Sequence, residues 1–395
     1  MRPTTEEPAE IEYRLISTDE GRAFLAEVGL IDRPQPSDFL RWRNQADAET
    51  VSAAVRLVAG RKKGAAKFAK ADLMWFEPTA LEQSTSELVA IHKARRFAGA
   101  DVVDLCCGIG GDTIALARES RVVAVDRDPG MVRRMTWNAL IYEVERNVEG
   151  VASDAESFST SDRCLVHIDP DRRSSGTGRT RRIAEYRPNL SWLRSMISAH
   201  PGGAIKLGPA SDVFEEFGEF EIEVISLNGE CKEATVWFGS LATCHRRATV
   251  LPSGATWIDG ARQESMISIG ELGESLYEPD AALVRAGLLN SFAKEHGLRR
   301  FSFGLELLSG NRSLISPFLT EFEVIADLPL DNKAIRGECR LHQWQPHEVK
   351  TRGLRPEIVD RITRGIPRCE GERVTLFLLN PADKSRAIVA RRRSP

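Results

Sequence analysis

The sequence contains no apolar run long enough to cross a bilayer, and residues 1 to 10 are acidic where a secretion signal would be basic and then apolar. Its seven cysteines are scattered, and no two of them form a Cys-x-x-Cys pair. That spacing argues against a disulfide framework and against a structural zinc site. We therefore expect a cytoplasmic chain with no membrane span and no metal.

The sequence also lacks a strong net charge, since its formal value is −3 over 395 residues. The basic residues are nevertheless unevenly placed. From Leu330 onward there are 15 Lys and Arg against 8 Asp and Glu, an excess of 7. That excess fits a phosphate-binding face and an ordinary solvated surface equally well. The length favours two or three domains over one.

Residues 1 to 82 show no regular apolar alternation and are predicted to form an N-terminal helical segment. A basic run from Arg61 to Lys70 is followed by the aromatic residues Trp75 and Phe76. Charged stems beside aromatics can grip single-stranded nucleic acid, but the same mixture is more often a helix with one solvated face. The second interpretation is the preferred one.

From Ala100 short apolar runs alternate with helical stretches, which predicts a parallel sheet with crossover helices. The runs are nearly all apolar, as expected of strands covered on both faces. They are Val102–Leu105, Val122–Val125, Cys164–Ile168, Ala204–Leu207, Glu221–Leu227 and Ala234–Phe238. Asn228-Gly229 joins the last two and is a strong hairpin signal. A parallel sheet that ends in an antiparallel hairpin is typical of methyltransferases that use S-adenosylmethionine (SAM).

After the hairpin the pattern loosens into segments punctuated by glycine and proline. One helix is predicted from Ala281 to His296, because Asp280 can cap its first N–H groups and Gly297 follows its end. From about Phe322 the sequence predicts short strands and a helix around residues 356 to 364. This part is expected to be an α+β domain.

A turn containing Gly108 and Gly110 connects a predicted buried strand to a helix. Glycine is needed where the turn is tight and a ligand lies against the backbone. Asp126 ends the next strand, where its carboxylate can accept hydrogen bonds from both ribose hydroxyls. About one strand further, Asp154 offers an acceptor for an adenine amino group. Three acids, counting Asp104, thus follow three successive strands, unless they are unrelated surface residues.

The same glycine turn also occurs in NAD-binding proteins. The NAD fingerprint requires a third glycine where Thr113 stands, and nothing in the sequence supplies a partner that accepts hydride. The sequence therefore predicts SAM rather than NAD.

The candidate substrate site follows the fourth predicted strand. A base amine is a poor nucleophile, because its lone pair is delocalised into the ring. Hydrogen bonds to Asp169 and to the following backbone carbonyl would localise and aim that lone pair. Asp169 is thus the first candidate for a catalytic residue, with a helix cap as the alternative. Pro170 and Asp171 complete the catalytic set, and His167 is interpreted as a core histidine.

Arginines crowd the Gly/Ser-rich stretch that follows this site. Guanidinium groups match phosphate oxygens, so the stretch suits a polyanionic substrate, with a plain surface loop as the alternative. The candidate substrate-binding residues are Arg172, Arg173, Arg179 and Arg181.

The stretch from Trp75 to Gly178 resembles the trimethylguanosine-synthase type of RNA methyltransferase. The likeness rests on the segments 82 to 87, 104 to 117 and 126 to 129. It implies that Gln83 to Ser86 lie over the methionine end of the cofactor. The candidate cofactor-binding residues are then Gln83, Thr85, Asp104, Cys106, Gly108, Gly110, Asp126, Arg127, Asp154 and Ala155.

The whole chain resembles bacterial SAM-dependent methyltransferases that carry a C-terminal THUMP-like domain. The segment Tyr277 to Ala286 and the basic segment His347 to Arg364 carry this second likeness. THUMP domains bind RNA, so the resemblance implies a tRNA or rRNA substrate.

The tetrad from Asp169 to Arg172 departs from the pattern of amino-directed enzymes. Those enzymes usually have a second proline and then an aromatic residue that stacks on the base. Asp-Pro-x-Arg instead resembles the tRNA uracil-5-methyltransferases, which need a cysteine nucleophile after the fifth strand. This chain has Lys206 to Pro209 there, so that covalent route lacks its attacking atom.

Together these observations predict an α/β protein with a Rossmann-like, seven-stranded SAM-methyltransferase domain. The predicted boundaries are a helical segment at 1–82, the methyltransferase domain at 83–248 and a THUMP-like, RNA-binding α+β domain at 249–395. The predicted activity is SAM-dependent methylation of a base in tRNA or rRNA, with an exocyclic amine favoured. The alternatives are an RNA-binding protein that keeps the fold without turnover, and a methyltransferase for a small molecule or protein.

Overall fold

The computed structural model describes residues 8–172, 180–258, 267–302, 304–366, 371–380 and 385–393. The chain divides into two compact units, and each is described by itself. The first comprises residues 1–221 and 233–243, and the second comprises residues 222–232 and 244–395. In the described part of the chain, no helix is both long enough and apolar enough to cross a membrane.

The helices of the first unit include a group that precedes the sheet and a group that crosses between strands. They are α1 (Pro8–Ser17), α2 (Asp19–Gly29), α3 (Pro36–Arg43), α4 (Ala48–Gly64), α5 (Pro78–Gln83), α6 (Glu87–Ala94), α7 (Gly111–Glu119), α8 (Pro129–Ile141), α9 (Leu190–Ala199) and α10 (Val213–Glu216). The N-terminal residues are therefore helical, as predicted.

The strands of the whole chain, in order, are β1 (Asp101–Leu105), β2 (Arg121–Asp126), β3 (Val148–Ala152), β4 (Leu165–Ile168), β5 (Gly202–Leu207), β6 (Glu221–Leu227), β7 (Glu230–Gly239), β8 (Arg246–Leu251), β9 (Ala255–Ile258), β10 (Ser275–Pro279), β11 (Arg299–Arg300), β12 (Leu308–Gly310), β13 (Leu319–Pro329), β14 (Trp344–Arg352), β15 (Glu372–Leu379) and β16 (Arg386–Arg392). The six strands predicted from apolar runs are confirmed. The turn residues Asn228 and Gly229 have φ of +54° and +80°, which a tight hairpin turn requires.

The first unit contains strands in the order β3-β2-β1-β4-β5-β7. The pairs β3–β2, β2–β1, β1–β4 and β4–β5 are parallel, whereas β7 is antiparallel to β5. The order reverses between β1 and β4, so a crevice opens there at the carboxyl ends of the strands, where ligands bind in open α/β sheets. This topology positions the candidate site.

An apolar core fills the space between this sheet and the helices α6, α7 and α8. Val102, Val122 and Ala124 supply strand side chains to it, and Phe97 and Trp237 are fully buried. These strands read as apolar in the sequence because helices cover them, which matches the pattern of doubly covered parallel strands.

The helices α1 to α4 form a second core around Trp42 and Leu57. A buried ion pair ties this group to α8, since Arg134 donates to both oxygens of Glu12 at 2.8 and 2.9 Å. Two parallel N–H···O bonds fix both the distance and the orientation of the pair. The N-terminal helices are therefore held against the sheet domain by a specific contact within the same unit.

The basic run from Arg61 to Lys70, which begins in the last turn of α4, has a structural role. The Lys67 ammonium donates to the carbonyl oxygens of Leu81, Glu82 and Ser84 at 2.6 to 3.0 Å. Arg61 donates to the carbonyl oxygens of residues 73 and 74. Because Trp75 and Phe76 are buried, this segment is not an exposed nucleic-acid grip.

The second unit contains the strands β6-β8-β9 and a seven-stranded sheet in the order β11-β12-β10-β13-β16-β15-β14. Its helices are α11 (Ala281–Arg285), α12 (Leu289–Glu295), α13 (Asn332–Leu341) and α14 (Pro356–Thr363). The unit is α+β, as predicted, and α14 matches the helix expected near residue 356.

Two predictions for this unit are wrong. The single helix expected from Ala281 to His296 is interrupted by Gly287, whose φ of +74° ends α11 in the left-handed conformation that glycine tolerates. The strands after Phe322 are long rather than short, and α13 was not predicted at all. β13 has 11 residues and an irregular register between Val324 and Ala326, which breaks the alternation that identifies a strand.

Candidate functional site

A cavity of about 660 Å³ opens in the first unit at the carboxyl ends of β1, β2 and β4. It is bounded by the glycine turn after β1, by the C-terminal part of α5 and by residues 184 to 189. The predicted residues that line it are Gln83, Thr85, Asp104, Cys106, Gly108, Asp126, Arg127, Asp154, Ala155, Asp169, Pro170, Asp171 and Arg172. Residues far apart in the sequence are thus brought to one crevice.

The turn after β1 needs its glycines for two different reasons. Gly108 and Gly110 have φ of +54° and +89°, a region that residues with a Cβ rarely adopt. Gly111 has an ordinary φ, but a Cβ there would lie 2.2 Å from Ser84 Oγ. Gly110 does not line the cavity, because it packs toward Met135. Gly110 therefore sets the conformation of the turn and lies on the side of the turn that faces Met135, away from the cavity.

Asp126 at the end of β2 holds the glycine turn and faces the cavity. Its two carboxylate oxygens accept hydrogen bonds from the backbone N–H groups of Gly108 at 2.9 Å and Asp128 at 3.0 Å. Burial raises the pKa of Asp126, and the two backbone donors oppose that rise. Since each carboxylate oxygen has a further lone pair, Asp126 can also accept from the hydroxyls of a ribose.

Asp104 at the end of β1 is almost completely buried. It is 1% exposed, and its oxygens accept from Thr113 Oγ1 at 2.5 Å and contact His167 Nδ1 at 2.8 Å. His167 is fully buried, as expected of a core histidine. Asp104 thus supports the floor of the cavity, with both of its oxygens already engaged.

A buried charge cluster lies beneath this floor. The Lys93 ammonium of α6 is 2.8 Å from Asp112 Oδ1 and 2.8 Å from Glu233 Oε1, and Lys93 is 1% exposed. Burial disfavours the charge on Lys93, but the two carboxylates outweigh it and raise its pKa. Thr85 Oγ1 donates to Asp112 Oδ2 at 2.5 Å, which connects the cluster to the segment after α5.

His167 extends this cluster toward β4. Its Nε2 lies 3.5 Å from Lys93 Nζ, and its pKa is raised. Burial opposes protonation, but the nearby Asp112 carboxylate and the bond to Asp104 outweigh it. The ring therefore acts as a bridge between two carboxylates, and it does not line the cavity.

Asp169 is the predicted catalytic acid, and it is paired with a lysine. Its Oδ2 lies 2.5 Å from the Lys206 ammonium of β5, which also donates to the carbonyl oxygen of Gln83 at 3.1 Å. The Gln83 side chain in turn donates to Asp171 Oδ1 at 2.9 Å. Two acids of the tetrad are therefore connected through one residue of α5.

The remaining predicted residues are arginines that lie at the rim of the cavity, outside its lining, or outside the described residues. Arg127 lies at the rim, with its guanidinium 4.0 Å from Asp171. Arg181 is exposed and outside the cavity lining. Arg173 and Arg179 lie outside the described residues.

Sequence reasoning missed several residues that the fold brings to the site. Lys206 stands on a strand that otherwise reads as apolar core, and a lone lysine in that run was the available signal. Lys93 lies directly after His92 on α6, so no comparable signal marked it as buried. The segment Glu185 to Asn189 also lines the cavity. It pairs with the tetrad, since Asp171 and Arg187 exchange backbone hydrogen bonds at 2.8 and 3.0 Å.

The chain is similar to known methyltransferases. Residues 99–187 match a family model described as RNA cap guanine-N2 methyltransferase. Two uncharacterized S-adenosylmethionine-dependent methyltransferases of Mycobacterium tuberculosis, from strains CDC 1551 / Oshkosh and ATCC 25618 / H37Rv, are each 35% identical to the chain over 285 residues. Each match covers 71% of this chain and 77% of the relative.

A crystal structure of a protein from Porphyromonas gingivalis W83, described as a methyltransferase, is similar along nearly the whole length. It covers 97% of this chain and 99% of its own, with a TM-score of 0.75 and 20% identity. At that identity the likeness establishes the fold alone.

The strand order and the glycine turn define a Rossmann-like SAM-methyltransferase fold. The chain belongs to the S-adenosylmethionine-dependent methyltransferase family, together with its mycobacterial relatives. SAM is its cofactor, and methyl transfer is its reaction class. The prediction of SAM instead of NAD is confirmed.

Proposed function

We propose that this enzyme methylates a base in tRNA or rRNA, with an exocyclic amine as the favoured acceptor. The observation that carries the proposal is the position of Asp169, whose carboxylate lines the same cavity as the glycine turn and the Asp126 carboxylate. The match of residues 99–187 to a guanine-N2 methyltransferase model supports an amine acceptor on RNA.

The shared cavity lining supports the cofactor-binding roles proposed for the predicted residues. Asp126 would hold the ribose, Asp154 and Ala155 the adenine, and the segment Gln83 to Thr85 the methionine end. When bound, SAM supplies a methyl group made electrophilic by a sulfonium. Asp104 would support the cofactor turn without contacting SAM, because its carboxylate is almost completely buried against Thr113 and His167.

Asp169 and the carbonyl of Pro170 would accept the two hydrogens of the target amine. Such bonds localise the nitrogen lone pair and orient it, so that catalysis rests on positioning. Asp171 would hold the tetrad in place through its bond to Gln83. Arg172 is at the cavity and Arg127 at its rim, where guanidinium groups can pair with backbone phosphates.

RNA binding by the C-terminal residues is the second part of the proposal. Several basic side chains there are already paired within the protein, since Lys350 and Arg352 both contact Glu278. Arg355, Arg361 and Arg364 are exposed and have no ion pair within the described part of the chain. These three arginines of the predicted THUMP-like domain at 249–395 are therefore the proposed phosphate contacts.

The domain boundaries 1–82 and 83–248 and the cytoplasmic location stay predictions.

The test of the proposed function is methyl transfer from tritium-labelled SAM to total tRNA and to rRNA. We expect label in one RNA fraction, and a loss of about 100-fold or more in Asp169→Asn with unchanged SAM affinity by calorimetry. Asp101→Asn, an exposed carboxylate at the start of β1, is the matched control and keeps full activity. Label only in protein or small-molecule fractions would refute an RNA substrate.

The C-terminal arginines are tested by RNA affinity at several salt concentrations. The variant Arg355→Gln, Arg361→Gln, Arg364→Gln is expected to bind RNA more weakly and with a shallower salt dependence, by about one unit of slope for each phosphate that the variant no longer neutralises. Arg391→Gln is the control, because Arg391 is paired with Glu372 and exposed. Equal affinity and slope in all three proteins would contradict this part.

A further inference from the structure

Lys206 is a charged residue in a strand whose six positions are all buried. Its side chain is 8% exposed, against 28% for its partner Asp169. A lysine in such a place keeps its charge only if hydrogen-bond acceptors surround the ammonium. Here the carboxylate of Asp169 and the carbonyl oxygen of Gln83 provide them. Both acceptors belong to residues that line the cavity.

Charged and titratable groups from four elements face Asp169. Lys206 approaches from β5, Asp112 from α7, Lys93 from α6, and Cys106 follows β1. Burial raises the pKa of Asp169, Lys206 is the strongest influence that lowers it, and Asp112 raises it again. Burial also raises the pKa of the Cys106 thiol, which is therefore neutral. Lys206 is thus the main support of the charged form of Asp169.

The charge of Asp169 matters because of what an amine can do. An exocyclic amine presents hydrogens, so its partner must accept hydrogen bonds. A carboxylate accepts at both oxygens, whereas a protonated carboxyl group donates from one of them. Oδ2 of Asp169 is bound to Lys206, which leaves Oδ1 as the oxygen that can meet the substrate.

We propose that Lys206 is a positioning residue, whose ammonium holds Asp169 in its charged, hydrogen-bond-accepting form and fixes that carboxylate against Gln83. This inference deepens the proposed function, because it assumes that Asp169 accepts the substrate amine. Lys206 acts through Asp169 and does not touch the substrate. Its removal therefore raises the pKa of Asp169 and also removes a hydrogen bond to the Gln83 carbonyl oxygen.

The first experiment measures the pKa of Asp169 directly and needs no substrate. Protein labelled with ¹³C at the aspartate carboxyl carbons is titrated by NMR, and Asp169→Asn identifies the resonance. We expect the pKa of Asp169 to rise by about 1 to 3 in Lys206→Met. In Lys206→Arg, which keeps the positive charge, we expect it to stay near the wild-type value. If Lys206→Met does not fold, Lys206→Gln is the replacement.

The second experiment measures methyl transfer to RNA against pH. The acidic limb of the profile is expected to move to higher pH in Lys206→Met, since the carboxylate that the reaction needs then forms at higher pH. Lys206→Arg restores the wild-type limb, and the SAM dissociation constant is measured in both variants so that any effect through Gln83 is separated from the shift of the limb. A purely structural lysine would lower activity equally at all pH values.

A negative result in each experiment refutes a different hypothesis. If the wild-type protein labels no RNA, the proposed function is refuted, and the NMR titration still decides the role of Lys206. If Asp169 titrates at the same pH in wild type and Lys206→Met, the inference about Lys206 is overturned, whatever the activity shows.

Discussion

Removal of the Lys93 ammonium should destabilise the first unit strongly. Lys93→Met keeps most of the side-chain volume but leaves Asp112 and Glu233 buried without the cation that lies 2.8 Å from each. Breaking a buried ion pair by removing one partner costs about 3 to 5 kcal/mol, because the remaining charge is uncompensated. That is a large part of the total stability of about 5 to 15 kcal/mol that a folded protein has.

The assay is equilibrium unfolding in urea at pH 7, followed by tryptophan fluorescence. We expect the midpoint of the transition to fall in Lys93→Met with little change in its slope. Lys62→Met is the control, since Lys62 pairs with the exposed Asp32 and water screens that interaction. Its curve should match that of the wild type.

The pH dependence of this cluster has a definite sign. Burial opposes the charge on Asp112, but Lys93 and His167 outweigh it and lower its pKa. A lowered pKa contributes stability above the usual aspartate value of 3.8, and that contribution disappears as the pH falls below it. The raised pKa of Lys93 contributes stability below its usual value of 10.5, so wild type should be more stable than Lys93→Met at every pH from 5 to 9. A destabilisation below about 1 kcal/mol at pH 7 would refute the reasoning.

Three further predictions concern the cofactor turn and a helix surface. Gly111→Ala should weaken SAM binding at least tenfold by calorimetry, because its Cβ would lie 2.2 Å from Ser84 Oγ, and equal affinity would show that Ser84 moves freely. Asp126→Asn should lower SAM affinity by about tenfold, or 1.4 kcal/mol, because the ribose then has no charged acceptor, and an unchanged Kd would remove Asp126 from the site. Gly337→Ala on α13 has no atom within 4 Å of the new Cβ, so it should stabilise the second unit by up to about 1 kcal/mol in thermal unfolding, and a lower Tm would contradict this.

The strands and the glycine turn could be predicted because their signals are local. An apolar run such as Val122–Val125 identifies a covered strand by composition alone, and Gly108 and Gly110 mark a turn within a few residues of it. The irregular second unit was harder to predict. Gly287 interrupts a helix whose apolar spacing continues on both sides, and the register shift in β13 hides its alternation.

The roles of individual acids could not be read from the sequence. Asp104 and Asp126 both follow the pattern of a cofactor carboxylate, yet only the structure shows that Asp104 is almost completely buried between Thr113 and His167, whereas Asp126 is partly exposed. The same holds for Arg181, which belongs by sequence to the arginine-rich stretch but lies outside the cavity lining. Neighbouring residues in a motif point in different directions, and the packing decides which of them face the site.

The sequence by itself determined the Rossmann-like class, the position of the glycine turn and the choice of SAM over NAD, since each depends on residues that are adjacent along the chain. Only the tertiary structure decided the partners of the acids in the crevice. Asp169 meets Lys206 across 37 positions of sequence, and Gln83 meets Asp171 across 88. Such contacts depend on the strand order, which places β4 beside β5, and no local pattern specifies that order.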